Sequence, residues 1–173
     1  MSSYAAELDR LHGNALVTAR SGVALASSRR ISSPEHPLHR FGLGVGRGAP
    51  SGGEELDRFA GGLLELHRDL LRQGIDHAMT HLGGRTSQGS PLLDRQLVQT
   101  ALADVAVEVR ENAVLPTGDQ HARWRAHQGL VDAGRLLLSL LGASSFLVSG
   151  PGGDLHLAEV TGNVYLTPDR ESA

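Results

Sequence analysis

The sequence contains neither cysteine nor lysine. The first absence excludes disulfides, thiolate metal sites and a cysteine nucleophile. The second excludes any mechanism that needs a lysine Schiff base. All 16 basic residues are arginine, a bias we attribute to a GC-rich genome rather than to chemistry. Aromatics are scarce, at 3% of 173 residues, and comprise only Tyr4, Phe41, Phe59, Trp124, Phe146 and Tyr165. They provide no stacking platform for single-stranded nucleic acid. A net charge of −3 gives no basic footprint for a polyanion either. No nucleic-acid partner is expected. The apolar runs are too short to cross a bilayer, and Glu7, Asp9 and Arg10 stand where a signal peptide would be basic and then apolar. The expectation is a soluble, cytoplasmic protein with no membrane partner.

What is present suits one compact domain with a small appendage. Hydrophobic residues make up 40% of the chain, so the core is aliphatic. The character changes near residue 50. Residues 1–53 are rich in Ser, Gly and Pro. Ser21-Gly22 separates the apolar stretches Ala15–Ala19 and Val23–Ala26, which suggests a small β-hairpin. Ser32–Pro37 breaks regular structure, and Gly42–Gly53 reads as a flexible connector. From Glu54 the spacing becomes helical. Leu56, Phe59, Leu63, Leu66, Leu70, Ile75 and Met79 form one stripe, with Glu54 and Glu55 at the positive end of the helix. Gly83-Gly84 stops it, and Pro91 marks the expected start of the next helix. Leu92, Leu93, Leu97, Val98, Leu102, Val105 and Val109 form a second stripe, ended by Pro116. Trp124, Leu130, Val131, Leu136, Leu137 and Leu140 form a third over about Gln120–Leu141, with Trp124 as a core anchor. Ser149–Gly153 reads as a tight loop, and Asp154–Leu166 suits either a strand or a short helix. Three amphipathic helices bury their stripes only against one another, so residues 54–173 are expected to form a mainly α, antiparallel up-and-down helical bundle.

The second helix and its approach carry a family resemblance. Arg85-Thr86-Ser87-Gln88-Gly89-Ser90-Pro91-Leu92 is followed by Gln96-Leu97-Val98-Gln99 and Leu102-Ala103-Asp104. This order resembles the acyl-CoA dehydrogenases, in which an Arg-x-x-Phe-Gly turn precedes a Gln-x-Val-Gln…Leu-Ala-Asp helix. Ala122-Arg123 and Gly142 sit near that family's Ala-Lys and Gly-Gly. The resemblance covers residues 54–146, the C-terminal helical domain. It implies α,β-dehydrogenation of an acyl-CoA or carrier-protein thioester with FAD, in which a carboxylate removes the α-proton. It places cofactor contacts at Arg85, Gln88, Gly89 and Gly142, with Arg85 on the FAD pyrophosphate of a neighbouring subunit. It also implies homo- or hetero-oligomers, including assembly with a full-length homologue.

Departures from the family pattern are specific. Gln88 replaces an aromatic residue, and Ser139–Ser145 keeps one of three glycines, Gly142. The expected Arg-Asp pair is reduced to Gly153-Asp154. Gly162 falls at the position of the catalytic Glu, so Glu159 serves as the base only with a shifted loop. Glu54, Glu55 and Asp57 are the alternatives on the first helix, where acidic residues ordinarily answer the helix dipole.

His77 and His81 have metal-ligand spacing on one helix face, although a solvated face is the commoner reading. Glu35–His39 lies in a Pro-rich loop, Gly42–Gly46 lacks the third glycine of a nucleotide loop, and no metal site is assigned. Two functions remain open. One is a small subunit of an FAD-dependent dehydrogenase. The other is a catalytically degenerate bundle, acting as an interaction or scaffold protein or as a flavin-free enzyme on a thioester-linked intermediate.

Overall fold

The computed structural model describes residues 3–146 and 150–169. The chain is mainly helical. Its elements are α1 (Ser3–His12), β1 (Val23–Ser27), β2 (Leu43–Arg47), α2 (Gly53–Gly83), β3 (Thr86–Ser87), β4 (Ser90–Pro91), α3 (Gln96–Val114), α4 (Gln120–Leu141) and α5 (Gly152–Tyr165).

Four helices build the core, and residue pairs give their directions. Arg68 on α2 meets Asn112 on α3, and Asn112 reaches Ala126 on α4. Asp57 near the start of α2 pairs with Arg123 near the start of α4, while His81 near the end of α2 meets Ser144 just beyond α4. Arg135 on α4 pairs with Glu159 on α5, and His127 with Asn163. The helices therefore alternate up and down in chain order. Both α2 and α4 touch α3 on one flank and α5 on the other.

Local chemistry sets the boundaries. Glu54 and Glu55 fall in the first turn of α2, where the helix dipole favours carboxylates. Its buried face runs through Leu56, Phe59, Leu63, Leu70 and Ala78 at helical spacing. Asp119 caps α4 by accepting from the Ala122 N–H at 2.8 Å. Leu115 is extended before Pro116, which ends α3. The stretch 154–165 is helical, and Gly152 and Gly153 form its first turn rather than a loop.

Several expected core residues lie outside. Met79 is 49% exposed and Leu97 is 85% exposed, one near the end of α2 and the other in the first turn of α3, where neighbouring helices no longer cover them. Leu136 is also exposed. Trp124 is half-buried and rests against the His127 ring.

Residues 3–53 pack onto the bundle. α1, absent from the sequence reading, buries Tyr4, Ala5 and Leu8 and contacts α2, α5 and β1. The turn at Ser21-Gly22 forms, with Gly22 at φ +77°. Val23–Ser27, however, pairs antiparallel with Leu43–Arg47 rather than with Ala15–Ala19. The expected connector thus holds a strand, and close approach of Ile31 explains Gly44 and Gly46. A Cβ on Gly44 would lie 1.7 Å from the Ile31 carbonyl oxygen. Tyr165 ties this layer to α5: its hydroxyl donates to the Val17 carbonyl at 2.9 Å and accepts the Leu25 N–H at 3.0 Å. Burial pushes its pKa up to about 12, so it stays a donor. His12 bridges the same layer, bonding the Leu25 carbonyl through Nε2 and accepting the Val17 N–H at Nδ1.

Candidate functional site

The residues assigned by resemblance to cofactor contact converge on one end of the bundle. Thr86 pairs with Pro91 and Ser87 with Ser90, leaving Gln88-Gly89 as a two-residue turn. Both have positive φ, +55° and +82°, as a type I′ hairpin turn requires. Gln88 is the one non-glycine with positive φ among the described residues. The turn is pinned by Leu92 N–H to the Arg85 carbonyl at 2.7 Å and by Arg95 Nη2 to the Ser87 carbonyl at 2.7 Å.

The Arg85 guanidinium projects from the base of this turn. It is exposed, its nearest polar neighbour is His81 Nε2 at 3.5 Å, and no carboxylate among the described residues pairs with it. Ser144 Oγ lies 3.1 Å from the same His81 nitrogen and donates to the Leu141 carbonyl. Its single proton is thus committed, and His81 Nε2–H donates to it. Gly142 ends α4 with φ +58° and has nothing within 4 Å of where a Cβ would sit. Arg85, Gln88, Gly89 and the Gly142 turn thus share one end of the molecule. His77 stacks on His81 with centroids 6.0 Å apart. No group of three or more His, Asp or Glu able to hold a metal ion occurs among the described residues.

One expectation here needs correction. α3 starts at Gln96, not near Pro91, because Leu92–Asp94 forms a 3-10 turn first. The free N–H groups of the α3 terminus therefore lie further along the chain than a start at Pro91 would place them.

The candidate bases lie elsewhere. Glu159 sits on α5 facing Arg135, whose Nη2 donates to Oε1 at 2.8 Å. Arg135 is about two helical turns before Gly142 on α4, so Glu159 is remote from the Arg85 end. Glu54, Glu55 and Asp57 lie at the far end of α2. Asp57 is committed to Arg123, which also donates to the carbonyls of Thr117 and Gly118. The structure does not gather these carboxylates and Arg85 into one site.

Sequence reasoning missed a buried polar layer at mid-bundle. His67 is 3% exposed and His127 1% exposed, with ring centroids 5.8 Å apart. Burial, assisted by His127 and Arg68, pushes the His67 pKa down to about 3. Burial also lowers that of His127, whose Nε2–H donates to Asn163 Oδ1 at 3.2 Å. Arg68 bridges Glu65 at 2.5 Å and Asn112 at 3.1 Å, and Asn112 donates to the Ala126 carbonyl at 2.8 Å. The signal was present: His67 continues the Phe59–Leu63–Leu70 stripe, so its position is a core position whatever its side chain.

Beside this layer, α2, α4 and α5 enclose a cavity of about 200 Å³. His67, Val131, Leu138 and Leu155 line it, with Arg135, His156 and Glu159 as its polar contribution. The edge of Phe41 packs on His156, with centroids 6.3 Å apart.

No protein-family model matches the chain, and a search of curated proteins found no match. No described helix is long and apolar enough to cross a membrane.

Proposed function

We propose that this chain is an acyl-CoA dehydrogenase-like helical bundle. In this reading it acts as the small subunit of an FAD-dependent acyl-thioester α,β-dehydrogenase completed by a larger partner. The observation that carries the proposal is Arg85: a permanently charged guanidinium, exposed and without a carboxylate partner among the described residues, at the base of a hydrogen-bonded two-residue turn. Such a group suits a pyrophosphate, which offers oxygens for paired N–H bonds. The Gln88-Gly89 turn and Gly142 lie at the same end, and Gly142 leaves open space for the approach of a nucleotide.

The cavities described among these residues are too small for a whole flavin dinucleotide. The cavities beside the residues discussed reach about 300 Å³, at the lower bound for drug-sized ligands, and a flavin dinucleotide is larger. Arg85 fits one arm of the cofactor, and the partner supplies the remaining walls. FAD, when bound, takes up the hydride from the β-carbon. For this chain the assigned roles are to bind and orient phosphate through Arg85. A base role for Glu159 requires it to leave Arg135 first. The ion pair at Glu159 supports the second reading, a degenerate bundle that assembles with itself or a partner without flavin.

Co-expression with a full-length acyl-CoA dehydrogenase homologue, followed by absorbance of the purified complex, tests the proposal. A flavin spectrum in a co-purifying complex, weakened by Arg85→Ala, is the expected result. A colourless protein under every pairing would overturn it.

A further inference from the structure

The cavity between α2, α4 and α5 lies apart from the Arg85 end and is not used by the reading above. One of its lining residues, Gly134 within α4, is a glycine that packing does not require: a Cβ there would meet Leu71 Cδ2 at 3.7 Å and Leu155 Cδ2 at 4.0 Å, which is ordinary contact. Its φ is not positive. Glycine inside a helix is destabilising relative to alanine, so a glycine without a steric reason is informative. Gly74 and Gly162 do have such a reason: their Cβ atoms would lie 2.6 Å from Leu137 and 2.1 Å from the His127 ring. Gly134 has none: alanine would fit there, and glycine leaves the cavity a methyl group wider.

The electrostatics of the lining restrict what enters. Arg135 donates to Glu159 at 2.8 Å and its other nitrogen lies 3.6 Å from Asp132, so its charge is already answered. A charged ligand would have to break that pair or leave its own charge unmatched in a partly dry site. His67 is held neutral by burial, and its Nδ1 has no hydrogen-bond partner among the described residues. The remaining walls are the aliphatic side chains of Val131, Leu138 and Leu155.

We propose that this cavity binds a small uncharged amphiphile, in chemistry a short aliphatic alcohol. Its hydroxyl sits at the imidazoles of His67 and His156, and its hydrocarbon lies between Val131, Leu138 and Leu155. Occupancy does not depend on flavin or on a partner subunit.

The full chain titrated with 1-hexanol, hexanoate or hexylamine, followed through the histidine ring signals by NMR, separates the cases. We expect 1-hexanol to move the His67 and His156 signals saturably. Each charged analogue is expected to bind at least ~10-fold more weakly. Gly134→Ala, whose methyl group narrows the cavity without a clash, is expected to weaken hexanol binding ~10-fold or more. His67→Phe, which removes the ring nitrogens at the seat of the hydroxyl, weakens it in the same direction and serves if Gly134→Ala does not fold. Equal binding of the three probes, shifts that never saturate, or unchanged binding in the folded variants would each overturn the proposal.

Discussion

His127 Nε2 on α4 lies 3.2 Å from Asn163 Oδ1 on α5, and the ring donates across that gap as a neutral imidazole. Burial lowers the pKa of His127, of His12 and, to about 3, of His67. The unfolded chain protonates these rings near 6.5, whereas burial keeps the folded rings neutral to lower pH. Their contribution to stability is therefore complete above about pH 6.5 and declines as pH falls towards the folded values. Each ring adds a slope of up to about 1.4 kcal/mol per pH unit in that window. Denaturant titrations at pH ~7.5 and ~5.5 should show the loss, and His67→Gln should reduce the slope by about one proton. A stability that stays level across this window would contradict the neutral-ring assignment.

Asn112 links buried Arg68 to α3, and it also satisfies the Ala126 carbonyl of α4. Asn112→Ala leaves a guanidinium nitrogen and a carbonyl without those bonds, at a cost of about 2–4 kcal/mol. Arg68→Met with Asn112→Leu removes charge and partner together and should recover most of that loss. Chemical denaturation of the three proteins measures it. If the double variant were no more stable than Asn112→Ala, the unpaired-charge explanation would fail.

Gly162 makes room for the His127 ring, since a Cβ there would lie 2.1 Å from Cε1. Gly162→Ala should destabilise by about 1–3 kcal/mol through overpacking, despite alanine's better helix propensity. Gly61, on the same chain's α2 with nothing within 4 Å, should gain up to about 1 kcal/mol on the same change. Thermal melts of the two variants should therefore move in opposite directions. Parallel shifts would mean that close packing does not decide the sign.

Tyr165→Phe removes a hydroxyl that bonds both Val17 and Leu25. The expected cost is about 1–3 kcal/mol, because a buried carbonyl and N–H lose their partner. Amide exchange at Leu25 should accelerate more than at the α2 core. Exchange that rises equally throughout would instead indicate a global loss with no special tie between the layers.

Helix ends were the most legible part of this fold, because their signals are local. Gly83-Gly84 marks a boundary by poor helix propensity, Pro116 by its restriction on Leu115 and Gly142 by a positive φ, and each needs only its immediate neighbours. β2 was hidden because the requirement for Gly44 is set by Ile31, thirteen residues earlier, which crosses directly over it. α1 was hidden because its short apolar face, Tyr4, Ala5 and Leu8, is completed by α2 and α5. The turn carrying Arg85 and Gln88-Gly89 was legible as a motif. Its nearness to Gly142 was not, since that depends on α2 and α4 running the same way. The mid-bundle cavity had no sequence signature, because three helices define it by what their facing side chains leave vacant.

The bond from Tyr165 to Val17 spans 148 positions of chain. During synthesis at ~5–20 residues per second, the segment around Val17 therefore waits roughly 7–30 s for the residue that completes it. Until then the first fifty residues lack α5 to rest on. The earliest-made layer is thus the last to be secured.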